Sequence, residues 1–311
     1  MPRHSPVRRS PFATAVAVTS ATIALAATLL TGLGEPPAGE RPPPARPGSA
    51  GAVTADDRLL HDAEQRLLRD CMRRHGFTYE VFPLDEDPGT TAFVYVLDDA
   101  DRARRHGYGS ELRRQRDARA ASDPNRAYFA ALPADRKAAA LAAANGTSPD
   151  GLTVTLPGGG SVRRSDRGCV AESQLGLYGD LGAWFRASAR VDALVQIRRS
   201  RVLADPGYRE RLGTWRECMR RAGHAFAAPA DARAAALSPV RPLGRDREVA
   251  LALTEVRCGG ESGLARTARE LDAHHGGLLA GEYRADVETR DRLRAAALPR
   301  AHRILGADER T

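Results

Sequence analysis

The chain has 311 residues, enough for one large domain or two small ones whose core needs neither metal nor staple to hold it. Its formal charge of +8 is carried by arginine, with lysine appearing once at Lys137, and residues 52–311 hold 42 basic against 37 acidic side chains. An excess so small and so dispersed speaks against a nucleic-acid footprint and leaves anionic wall components or lipid headgroups as the charged partners to consider.

In chain order, Arg3, Arg8 and Arg9 form a positive region ahead of an uncharged stretch from Pro11 to Gly34. Arginines on that side leave the N-terminus in the cytoplasm and send the rest across the membrane. Residues 1–33 are therefore expected to be a signal peptide or an uncleaved signal anchor, the stretch being about long enough, at roughly 20 residues, to span a bilayer. Leu30-Thr31-Gly32-Leu33 has the form of a lipobox with leucine where the cysteine belongs, so no lipid can attach there. The best small-x-small cleavage candidate is Ala50-Gly51-Ala52. Residues 34–53, a Pro/Gly-rich segment, are expected to be a disordered linker without a role of its own; the alternative is an extended stalk on the order of 60 Å long.

From residue 54 to 311 helical periodicity dominates. Thr54 followed by Asp56 and Asp57 opens a helix that carries Leu60, Ala63, Leu67 and Cys71 on one face and stops at Gly76. Strand-like runs follow at Phe77–Phe82 and Ala92–Leu97, then a loop at His106-Gly107-Tyr108-Gly109. Helices open at Pro124 and resume after Pro133 to Asn145. Residues 152–162 read as a hairpin around Gly158-Gly159-Gly160. Five further helices are expected at about 168–179, 182–203, 206–222, 246–274 with a break near Gly259-Gly260, and 278–298, closed by Pro299. Pro229 to Pro242 reads as a turn-rich connection. The fold class is mainly α, a disulfide-stapled helical domain with a small β-hairpin.

An internal duplication organises this domain. Leu68-Arg69-Asp70-Cys71-Met72-Arg73-Arg74-His75-Gly76 returns as Trp215-Arg216-Glu217-Cys218-Met219-Arg220-Arg221-Ala222-Gly223, identical at six of nine positions. Cys169-Val-Ala-Glu172-Ser173-Gln-Leu175 likewise matches Cys258-Gly-Gly-Glu261-Ser262-Gly-Leu264. The chain thus reads as two cysteine-containing units, about 54–180 and 181–311, each with a helix ending in CMRRxG and a later helix starting in CxxESxL. Four cysteines allow three pairings. The repeat favours Cys71–Cys169 and Cys218–Cys258, one staple inside each unit, over a bridge from Cys71 to Cys218. Zinc held by Cys71 and His75, or by Cys218 and His224, is the competing use; the spacings differ between the copies and no CxxC is present.

No motif specifies a reaction: HExxH, GxSxG and a Walker loop are all missing, and no cofactor is expected. Glu172 and Glu261 recur in the duplication and could serve a paired-carboxylate hydrolase, but an acid in the first turn of a helix also simply offsets the dipole. Trp184 and Trp215 are expected in the core. Tyr108 and Tyr178, each in an aromatic-glycine loop, are the candidates for a functional surface.

The combination CMRRxGF … LYGD … WxxCM … C resembles a group of secreted or lipid-anchored proteins of actinobacteria, over most of the chain after the linker. The resemblance implies an extracytoplasmic location and disulfides, and no activity; Leu33 departs from the lipid-anchored members. The functional expectation is an exported, envelope-associated protein that binds an envelope protein or an anionic wall component, with a cell-wall hydrolase using Glu172 or Glu261 as the alternative.

Overall fold

The computed structural model describes residues 53–84, 93–148 and 150–306. The signal segment and nearly all of the linker lie outside the described residues, and so does Ala92 of the second strand-like run. The described residues form twelve helices and one two-stranded antiparallel sheet.

Helix α1 (Ala55–Arg74) starts where the sequence places it. The Thr54 hydroxyl accepts from the Asp57 N–H, and the Asp57 carboxylate accepts from the Thr54 N–H, so two orphan amides are satisfied reciprocally. Asp57 is buried and also receives Arg294 at 2.5 Å from α12 (Arg284–Gly306), which fastens the first helix to the last. Burial pushes the Asp57 carboxyl up, but the Thr54 hydrogen bonds and Arg294 outweigh it and hold the group below the usual carboxylate range. Leu60 and Ala63 of α1, Tyr178 at the end of α6 (Cys169–Tyr178), Trp184 of α7 (Leu181–Ala204), and Leu293, Ala297 and Ala301 of α12 share one core. Pro299 lies inside α12 instead of closing it: the helix runs seven residues further, because its apolar face is clamped against α1 and α6, which outweighs the ~3 kcal/mol that a mid-helix proline costs.

Short helices α2 (Ala100–His106), α3 (Ser110–Ala121), α4 (Pro124–Ala131) and α5 (Ala134–Asn145) precede the hairpin β1 (Leu152–Thr155) and β2 (Ser161–Arg164), whose glycine turn adopts positive φ throughout. Neither strand-like run is a strand among the described residues. The Asn125 side chain brackets Glu80, accepting from its N–H at 2.8 Å and donating to its carbonyl at 2.9 Å, so a single amide replaces a partner strand. Tyr95, Val96 and Leu97 are all buried, without the alternation of a half-exposed strand, because this bent segment threads the larger core.

That larger core surrounds Trp215 of α8 (Pro206–Arg221), with Leu251 and Ala252 of α10 (Arg245–Glu261) and Leu264 and Ala268 of α11 (Leu264–Glu282). The Pro229–Pro242 connection contains a further helix, α9 (Pro229–Ala236), whose Ala232 and Ala236 pack into the same core. The break expected at Gly259-Gly260 falls at Ser262-Gly263, where Gly263 takes φ 74°. Gly259 serves close approach: a Cβ there would sit 3.0 Å from Val96 and 3.3 Å from the Leu97 carbonyl. Packing does not divide at residue 180, since Tyr95–Tyr108 joins the second-half core and α12 joins α1.

Both CMRRxG segments are Schellman caps. Phe77 N–H donates to the Met72 carbonyl and Gly76 N–H to that of Arg73; His224 and Gly223 repeat this onto Met219 and Arg220. Gly76 and Gly223 supply the positive φ, 75° and 87°, that this cap requires.

Candidate functional site

The cysteines pair as the duplication implies. Cys71–Cys169 and Cys218–Cys258 have Cα atoms 5.5 and 5.6 Å apart, within the ~4.4–6.8 Å range that a bridge needs. In each station a Schellman cap presents the first cysteine and a buried helical turn presents the second. The context of the second differs: Cys169 is the first residue of α6, whereas Cys258 lies in the last turn of α10. Glu172 is therefore a first-turn acid as expected, while Glu261 ends its helix. Even so, Glu172 Oε2 lies 3.3 Å from Cys71 Sγ and Glu261 Oε2 lies 3.3 Å from Cys218 Sγ. The sulfurs carry no proton, so these are close approaches and not hydrogen bonds. His75 beside Cys71 and Cys169, and Glu261 beside Cys218 and Cys258, cluster within 4.8 Å. A sulfur committed to a bridge is not a thiolate, and the thiolate is the form that ligates zinc.

Tyr108 and Tyr178, expected on a functional surface, are 7% and 4% exposed. Tyr178 stacks on Trp184 with centroids 3.5 Å apart, and its hydroxyl approaches Glu64 at 3.5 Å. Burial raises the Tyr178 phenol well above its ordinary value. Tyr108 is held from α10. Its hydroxyl donates to Glu255, its N–H donates to Glu248 Oε1 at 2.9 Å, and Leu97 N–H donates to Glu255 Oε1 at 2.7 Å. Glu248 and Glu255, seven residues apart on one face of α10, thus clamp residues 97–110. Burial pushes the Glu255 carboxyl up, against the Tyr108 and Leu97 hydrogen bonds and the pull of Arg233. Aromatic-glycine spacing gave no hint of this, because the acids that bury the loop lie about 140 residues downstream.

Glu172 and Glu261 are 57% and 52% exposed, and each is ion-paired, with Arg74 and with Arg257. A carboxyl serving as a general acid is usually kept protonated by a desolvated pocket. Glu172 shares a cleft with Asp166, and Glu261 shares one with Asp98 and Glu270. Burial raises the Asp98 carboxyl, against the attraction of Arg269 at 2.5 Å.

Two surface grooves of similar size differ in charge. The first, about 470 Å³, runs past the start of α11; its wall holds Arg211, Arg266 and Arg269 and an equal number of acids, Asp98, Glu261 and Glu270. The second, also about 470 Å³, is lined by Arg113 of α3, Arg199 of α7 and Arg233 of α9, with no carboxylate among the described residues of its wall. Val94, Pro229 and Leu237 give it apolar surface. Arg233 is partly buried and donates to the Phe93 carbonyl at 3.2 Å; Arg113 reaches the Leu237 carbonyl at 3.4 Å. Sequence reasoning missed all three arginines. They come from three helices far apart in the chain, one of them read as a loop, and nothing marks them out in an arginine-rich chain.

No protein-family model matches the chain, and no curated protein or solved structure matches it either.

Proposed function

We propose that the protein is exported, that it remains associated with the cell envelope, and that its helical domain acts by binding an envelope component and not by catalysis. The observation that carries this reading is the arginine groove: three guanidiniums and apolar surface in one wall that holds no described carboxylate, on a scaffold stapled by two disulfides. Disulfides persist in oxidising compartments, which favours the outer face of the membrane. The apolar segment before Gly34 supports either membrane retention or release after cleavage. Fractionation with a pull-down from envelope extracts tests the reading: oxidised protein in the envelope or medium with a retained component supports it, and reduced protein in the cytoplasm refutes it.

A second reading, a cell-wall hydrolase, is favoured by one arrangement: Glu261 shares its groove with Asp98, a partly buried acid whose carboxyl burial raises. Wall hydrolysis abolished by Glu261→Gln would establish it over the first.

A further inference from the structure

We propose that the groove between α3, α7 and α9 binds a phosphodiester-linked polyanion of the envelope, with Arg199 and Arg233 gripping one phosphate and Arg113 a neighbouring one. This rests on the reading of an exported binding protein and gives it a ligand chemistry.

The two grooves make an internal comparison. Around the start of α11 the wall carries three arginines and three carboxylates, of which Arg269 and Asp98 are paired, so an incoming anion meets little net charge. In the α9 groove the wall carries three guanidiniums and no described carboxylate. Arg199 makes no hydrogen bond or ion pair with any described residue, so its donors are uncommitted. Arg233 holds the Phe93 carbonyl, and Arg113 faces Asp117 only at 4.0 Å. Like charges facing one recess repel, and an anion between them turns that repulsion into attraction.

The interior behind the groove points the same way. Burial holds the Arg233 guanidinium below its ordinary range; Glu255 and Tyr108 behind it oppose this, and the charge of Arg199 adds to it. A phosphate in front of Arg233 would supply the counter-charge missing on the open side.

The shape selects among anions. The cavity lies within the ~300–1,000 Å³ of small-ligand sites, so a single oxyanion would leave most of it empty. Guanidinium forks match phosphate oxygens in pairs. The three arginines line one recess and not a flat face, a shape that suits a strand lying along it better than a bilayer surface. Apolar contacts from Val94 and Leu237 suit the hydrocarbon links between phosphates.

The test uses the full-length oxidised chain titrated with linear poly(glycerol phosphate) at low salt, with polyglutamate and phosphatidylglycerol vesicles in parallel. Wild type is expected to bind the polymer more tightly than either comparator. Arg199→Gln should weaken binding about tenfold, the worth of one charge-assisted contact, with a shallower salt dependence. Arg113→Gln, at an exposed site, should weaken it in the same sense, with urea unfolding of the variant run alongside. Arg266→Gln, in the balanced groove, should leave affinity within about twofold. Equal affinity of Arg199→Gln and wild type would overturn the proposal, as would vesicles or polyglutamate binding as well as the polymer. A chain that retains a protein partner in the envelope yet ignores the polymer refutes this inference and leaves the binding-module reading standing; reduced cytoplasmic protein removes both.

Discussion

Replacing Glu248 by alanine should destabilise the protein by about 3–5 kcal/mol, through backbone groups 140 residues away. Glu248 sits in the first turn of α10, buried, with Oε1 accepting from Tyr108 N–H at 2.9 Å and Ser110 N–H at 3.0 Å. Its Oε2 accepts from the Ser110 hydroxyl. Ser110 begins α3, whose N-cap Gly109 has no side chain to offer, so Glu248 caps that helix from outside. Gly107 makes room for it: a Cβ there would lie 2.8 Å from Glu248 Cγ. Alanine leaves two amide donors without acceptors, at roughly 1–3 kcal/mol each, and frees the start of α3. Glu248→Gln keeps a carbonyl oxygen for both amides, and its NH₂ can donate to the Ser110 hydroxyl, so it should cost only about 1 kcal/mol. Urea unfolding at neutral pH measures both, and hydrogen exchange at Tyr108 and Ser110 should rise before global unfolding in the alanine variant. A loss below about 1 kcal/mol for alanine, or glutamine as costly as alanine, would refute the acceptor role.

Two further outcomes follow from the cross-links and the buried acids. Removing the Cys71–Cys169 bridge, which closes a 98-residue separation, should cost about 4.7 kcal/mol, and removing Cys218–Cys258, separation 40, about 4, read as paired cysteine-to-alanine variants in urea. The pH dependence has two opposed parts. Glu255 has a raised folded value, so its contribution is fully present below the ordinary glutamate range and is lost as pH rises through the folded value; Glu255→Gln should therefore gain on wild type across that window. Asp57 has a lowered folded value, so its contribution is present above the ordinary aspartate range and lost as pH falls through the depressed one; Asp57→Asn should flatten the acid limb of stability, measured between about pH 3 and 8.

What was legible in the sequence was what neighbouring residues decide. Thr54 with Asp57, Gly76 and the Gly158–Gly160 turn all carry their signal within a few residues, and each stands where expected. The misreadings share one cause, a distant partner. Phe77–Phe82 and Phe93–Leu97 have strand composition, yet Asn125, Glu255 and the Trp215 core decide their conformation. Gly259-Gly260 looks like a helix break until Val96 packs on it. Tyr108 looks like a loop aromatic until Glu248 and Glu255 bury it. The arginine groove was illegible for the same reason, because charge balance is a property of a wall and not of a segment.

The duplication shows how far a repeated sequence repeats a structure. The CMRRxG cap is closed by its own backbone, with Met72 and Met219 buried beneath it, and it recurs hydrogen bond for hydrogen bond. The CxxES half is not self-contained: it starts α6 in one copy and ends α10 in the other, where Gly259 lets the helix pack on residues 96–97. Cysteine and glutamate nevertheless meet the first cysteine alike in both, the carboxylate 3.3 Å from its sulfur, since one turn of helix between them suffices. The repeated unit is therefore a bridging station and not a domain. Each station ties a capped helix end to a helix that the rest of the chain was free to place differently: the Cys218–Cys258 core takes in residues 93–108, whereas Cys71–Cys169 sits in a smaller cluster with Phe77 and Ala140, apart from the core that takes in α12.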